Sequence, residues 1–160
     1  MLSKYIVSRD HEPLCEAGEI PITAIATVFL NSEAIDHPVD YAFDNHRGPG
    51  GTRWVAQERG KQTIIVAFDS PQTIREVTLE IEERLNSRTQ LLELSVSKNW
   101  GESYRTVRQQ EYTFSPRGST FELEKWAIDE GDITHVRLSI KPDKGGKECH
   151  ASLVSLAFRR

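Results

Sequence analysis

The chain is 160 residues long, 38% hydrophobic and 28% charged, with 24 acidic and 20 basic residues and a net charge of −4. That length suits one domain, which buries roughly 68–70% of its unfolded surface and needs neither metal nor disulfide to fold. No run reaches the roughly 18 apolar residues of a membrane-spanning helix, the opening MLSKYIVSRDHEP lacks the apolar stretch of a signal peptide, and the acidic balance gives nucleic acid no overall attraction, so a cytoplasmic domain without a transmembrane segment is expected.

Residues 1–19, with Pro13 and Gly18, read as an irregular lead-in to a domain over 20–160. Ile22 to Leu30 is rich in β-branched residues and predicts a first strand. Asn31 to Asp44 invites a helix, which Pro38 limits to a turn or two. Ile64 to Phe68 is apolar on both faces and predicts a central strand, closed by turn chemistry at Asp69-Ser70-Pro71-Gln72. Three segments then alternate with period two, around Val77-Leu79-Ile81, Leu92-Leu94-Val96 and Val136-Leu138-Ile140, the habit of antiparallel strands with one wet face. Weaker candidates lie at Tyr104–Arg108 and Phe121–Trp126, and Ala151 to Phe158 predicts a last central strand. Further turns fall at 98–101, 115–118 and 142–146. About eight strands at this spacing predict an all-β, two-sheet antiparallel sandwich or jelly roll.

If the strands from residue 64 run antiparallel, the loops sort onto two ends. One end collects 56–62, 82–89, 109–118 and 142–150; the other collects 69–72, 98–101 and 127–132. Cys15 and Cys149 fall far apart in the chain with no zinc spacing, which predicts two reduced thiols. The histidines at 11, 37, 46, 135 and 150 share no ligand spacing on one helix face.

The segment from His37 to Ala56 carries Ala42-Phe43-Asp44 and Thr52-Arg53-Trp54. It resembles the signature of the discoidin or coagulation-factor type C family, also called galactose-binding-like domains. The similarity continues in order through Thr63–Phe68 with Pro71-Gln72-Thr73-Ile74, then Val96-Ser97, Gly101, Tyr104 and Val107, then His135–Leu138 and Ala151–Phe158, covering about 20–159. The resemblance implies an eight-stranded antiparallel jelly-roll sandwich that binds sugars, lipid headgroups or proteins without catalysis.

Many sugar-binding members hold a structural calcium ion, which here the resemblance would place at Asp44 and Thr52. Calcium takes six to eight oxygens, and this chain departs from the pattern in a long loop with a cation, Arg47, and in Ser155 where a Glu is common. The end where ligands usually bind in this family collects Glu58, Arg59, Arg84, Asn86 and Arg88; guanidinium forks suit hydroxyls, carboxylates and phosphates. Lys61 and Lys144 add charge there. Trp54 and Trp126 read as core, whereas Trp100 sits at a turn tip at the other end. Asp44, His46, Asp129, Asp132 and His135 come without a nucleophile or phosphate-loop motif, so the chain reads as no enzyme. The expected ligand is a carbohydrate; a protein-docking or assembly role is the alternative.

Overall fold

Alternation of period two builds this chain into eight antiparallel strands, described over residues 18–160 in a computed structural model; the lead-in to residue 17, with His11 and Cys15, lies outside the described residues. The strands are β1 (Ala26–Leu30), β2 (Trp54–Arg59), β3 (Gln62–Glu82), β4 (Arg88–Ser97), β5 (Arg105–Phe114), β6 (Phe121–Lys141), β7 (His150–Leu153) and β8 (Ser155–Arg159). A helical turn, α1 (Ile22–Ile25), occupies the front of the segment expected to be strand throughout, and a 3₁₀ turn at Val39–Ala42 follows Pro38, within the short limit that proline sets.

Two strands of 21 residues, β3 and β6, form the spine. The first half of β3 pairs with β1 on one side and the second half of β6 on the other, which continues through β4 to β5. The second half of β3 pairs with the first half of β6 and with β8. The same two strands therefore serve both layers of the sandwich, and register shifts between Ala67 and Glu76 mark where they turn from one to the other. Opposite, Asp129 and Asp132 hold φ of 45° and 57°. The expected turn at 69–72 and the expected loop at 127–132 are thus bends inside continuous strands, because bulges absorb extra residues without ending the ladder. Likewise the expected single strand 151–158 breaks at Val154: β7 pairs with β2 and β8 with β3.

The core fills from both layers. Ile64, Val66 and Phe68 of β3 point inward with Val77, Leu79 and Ile81, and meet Leu92, Leu94, Val136, Leu138 and Ile140. Phe68 of one layer meets Phe158 of the other edge to face, centroids 6.0 Å apart. Trp54 is wholly buried and its indole N–H donates to Ser32 O at 3.0 Å, so its one polar atom is satisfied inside. Trp126 is buried as well, while Trp100 stands 56% exposed.

Trp54→Ala should cost about 3–5 kcal/mol in urea unfolding, whereas Trp100→Ala should cost under about 1 kcal/mol. Similar losses at the two positions would show that the core is placed incorrectly.

Candidate functional site

The end of β3 carries three carboxylates in succession around a gap, and the local fold answers each. Glu80 accepts Gly48 N–H at 2.8 Å. Glu82, with a side chain 2% exposed, accepts Gly50 N–H at 3.1 and 3.2 Å, faces Arg53 Nη1 at 3.4 Å and Arg84 Nη2 at 3.0 Å. Glu83 pairs with Arg88 Nε at 2.8 Å and accepts the amides of Leu85 and Asn86 at 3.1 and 3.3 Å, which shapes the turn between β3 and β4. A charge buried without partners is costly by several kcal/mol. The Gly-rich loop and the three arginines therefore have fixed places.

On the other side, β2 and β7 run antiparallel with Val55 opposite Ser152 and Arg59 opposite His150. His150 Nδ1 lies 2.9 Å from Ala56 O, and Gly60 N–H donates to Cys149 O at 3.1 Å. The segment leading into β7 is pinned by Asp143, which accepts the amides of Thr89 and Lys147 at 3.0 Å each. These bonds, Thr89's first, hold the Asp143 carboxyl below the usual carboxylate range. Between the two walls lies an open groove of about 540 Å³. Five basic side chains line it, Arg53, Arg59, Arg84, Arg88 and Lys147, against Glu82, Glu83 and Glu148.

Three of the expected ligand residues meet here. Arg59 and Arg84 line the groove with side chains 63% and 57% exposed, and Asn86 lines it as an exposed residue of the turn. Arg59 is held loosely, by Glu148 at 3.3 Å. Arg88 also lines the groove, but as floor: its side chain is 4% exposed, paired with Glu83, and its Nη1 donates to His150 O at 2.7 Å. Arg88, expected among the ligand residues, is buried and ties the β3–β4 turn to β7. Glu58 is exposed but is not among the residues lining the groove; its amide donates to Ser32 Oγ at 3.1 Å. Lys144 pairs with Glu111 at 2.7 Å, and Lys147 takes its place at the groove. The sequence reading passed over Arg53 and His150, although parity could have found both: each stands next to a residue with the opposite, core-facing parity, Trp54 and Ala151.

At the other expected site, Asp44 and Thr52 do come together: Thr52 Oγ1 donates to Asp44 Oδ2 at 2.7 Å. Asp44 Oδ1 accepts His46 N–H at 2.9 Å, and the imidazole Nδ1 lies 3.3 Å from Oδ2. These residues do not fit a calcium ion. Asp44 is the one carboxylate of the loop and its oxygens are engaged, and Arg47 brings a positive charge into the same loop. The guanidinium of Arg47 pairs with Glu19, reaches Asn45 Oδ1 at 3.2 Å, and donates from Nε to Ser155 Oγ at 3.3 Å. Among the described residues no group of three or more His, Cys, Asp or Glu side chains is gathered as a metal site.

The F5/8 type C domain model matches residues 21–153. Among solved structures, the family 32 carbohydrate-binding module of C. perfringens NanJ, in complex with galactose, superposes with a TM-score of 0.61 at 16% identity, covering 89% of this chain and 98% of that one. A Clostridium perfringens family 32 module in complex with GalNAc-β-1,3-galactose gives 0.59 at 22% identity over 89% and 99%. The family 32 module of AlyQ, in complex with 4,5-unsaturated mannuronic acid, gives 0.58 at 20% over 84% and 94%. No curated protein matches the chain in sequence.

Two outcomes test this geometry. Arg88→Ala should lose about 3–5 kcal/mol in denaturant unfolding because Glu83 is left buried without its partner, whereas Arg84→Ala should lose clearly less, because Glu82 keeps the Gly50 amide and Arg53 as partners; equal losses would refute the assignment of floor and rim. The melting temperature should be the same in millimolar calcium and in excess chelator, and Arg47→Ala should lower it in both. A chelator-sensitive melting temperature would show that the loop does hold calcium.

Proposed function

The chain belongs to the F5/8 type C domain family, and from that membership we propose that it is a non-catalytic carbohydrate-binding module whose ligand enters the groove between the β3–β4 turn and the β2–β7 ladder. The observation that carries the reading is the pair of exposed guanidiniums, Arg59 and Arg84, facing across a groove whose floor is fixed by buried ion pairs. A sugar offers neighbouring hydroxyls in one plane, and a guanidinium fork donates two parallel hydrogen bonds to such a pair. Asn86 supplies both donors and acceptors on the same rim. The groove carries more basic than acidic side chains, which favours a sugar bearing a carboxylate over a neutral one. Its apolar lining is thin, Val55 and Leu85, so binding is modest and depends on polar contacts. The likeness to modules in complex with galactose, GalNAc-β-1,3-galactose and an unsaturated mannuronic acid supports the ligand class.

His150 uses Nδ1 on a backbone carbonyl, and Cys149 Sγ contacts Lys147 O at 3.5 Å. The groove is built to hold a ligand in place.

Thermal shift with neutral and acidic sugars at about 50 mM tests the reading. A sugar with a dissociation constant of about 1 mM should add about 2 kcal/mol of stability, a shift of several degrees for a domain of this size. Arg59→Ala with Arg84→Ala should remove the shift while the unliganded protein stays folded at a lower melting temperature, since Glu82 keeps Gly50 N–H and Arg53. A shift that survives both substitutions would place the ligand elsewhere.

A further inference from the structure

At the end of the sandwich away from the groove, the turn between β4 and β5 presents Trp100, the one exposed tryptophan of the three in the chain. Its backbone holds φ of 61°, a conformation that bulky side chains rarely adopt. The turn is fastened there by hydroxyls and an amide. Trp100 N–H donates to Thr134 Oγ1 at 2.9 Å, and that hydroxyl donates on to Ser97 O at 3.1 Å. Ser97 Oγ accepts Gly101 N–H at 3.0 Å and donates to Asn99 Oδ1 at 2.8 Å, which in turn accepts Ser103 N–H at 3.0 Å. Gly101 has φ of 86°, which favours glycine there, and it lies beside His135 and Tyr104. The indole meets the His135 ring edge to face, centroids 6.3 Å apart. Burial lowers the His135 pKa, so this support is uncharged at neutral pH. Two of the four side chains nearest in sequence, Lys98 and Glu102, are exposed and charged.

We propose that Trp100 is a second sugar-binding platform, stacking its indole on the apolar C–H face of a pyranose at the end of the sandwich opposite the groove. The ligand class rests on the function proposed above; the place and the residues do not. The turn commits a rare backbone conformation and five hydroxyl or amide hydrogen bonds to holding one large ring in solvent. A single rigid ring collared by polar groups matches a sugar, which has one apolar face and a polar rim. A protein interface of ordinary strength covers roughly 1,200–2,000 Å² in total and centres on contiguous apolar residues. The groove lacks an aromatic face other than His150, so the two sites divide the work: polar reading at one end, stacking at the other. With sites at opposite ends, one molecule joins two sugar chains.

The test uses the full chain as wild type, as Trp100→Gly, which suits φ of 61°, and as Arg59→Ala with Arg84→Ala. Each is titrated with galactose and with soluble galactan and alginate, followed by calorimetry and tryptophan emission. Because Trp54 and Trp126 are buried, a change in emission reports Trp100. Two sugars per wild-type chain are expected, falling to one in each variant, with the emission change lost in Trp100→Gly alone and polysaccharide binding weaker by about tenfold. If Trp100→Gly, with an unchanged melting temperature, binds every sugar as the wild type does, the platform is refuted and the groove stands. If only Trp100→Gly loses binding, the groove reading falls and the platform stands. If no sugar binds the wild type, or if Trp100 instead mediates self-association in sedimentation, the platform is refuted.

Discussion

Glu82 sits at the end of β3 with a side chain 2% exposed, and a carboxylate so placed must be surrounded by donors or the strand cannot close. The donors it finds are the amide of Gly50 and the guanidiniums of Arg53 and Arg84. Each of these fixes something larger. Gly50 draws the loop after Asp44 onto the face of β3, Arg53 orients the entry to β2, and Arg84 starts the turn to β4. The groove is what remains between elements that Glu82 holds apart and together.

Its neighbours extend the same logic along the strand. Glu80 takes the Gly48 amide, and Glu83 takes Arg88, whose guanidinium continues to His150 O and ties the turn to β7. Arg47 then closes the loop from outside by joining Glu19, ahead of β1, to Ser155 of β8. In a calcium-holding loop a divalent ion gathers oxygens from several segments. Here a side-chain cation gathers a carboxylate, a hydroxyl and an amide oxygen from three segments, which gives the loop a comparable tie from the chain itself. The opposite end is held differently, by the neutral hydroxyls of Ser97 and Thr134 and the amide of Asn99.

Alternation made most of the sandwich legible, because period two names the inward residues without reference to partners: 77, 79 and 81, or 92, 94 and 96, are buried as expected. The sorting of loops followed from antiparallel order, and it brought Arg59, Arg84 and Asn86 together and sent Trp100 away. What alternation cannot report is a second covering of the outer face. Glu80 and Glu82 have the parity of a wet face and are buried by a loop that no strand pattern reveals. Arg88 shows the reverse. It shares parity with Leu92 and Leu94, which points it inward, although its guanidinium put it among the expected ligand residues; its partner Glu83 lies just across the turn and offsets the cost of burial. The turn signal at 69–72 and the loop sorted to 127–132 misled for a related reason. Asp, Ser and Pro mark a change of direction, and a bulged strand changes direction without ending.

That bend also separates the two ends mechanically. The register shifts of β3 lie between Ala67 and Glu76, and Thr134, which holds the Trp100 amide, follows the facing bend of β6 at Asp129–Asp132. The carboxylates that hold the groove, Glu80, Glu82 and Glu83, lie four residues and more beyond those shifts, past a stretch in regular register with β6 and β8. A disturbance at the bend reaches the Trp100 turn directly, through the Thr134 hydroxyl and the neighbouring His135 ring. To reach the groove it must pass along a stretch of paired strand packed on Val77, Leu79 and Ile81. The two ends are therefore held by separate sets of bonds that differ in chemistry, carboxylates and guanidiniums at the groove and neutral hydroxyls with an amide at the Trp100 turn.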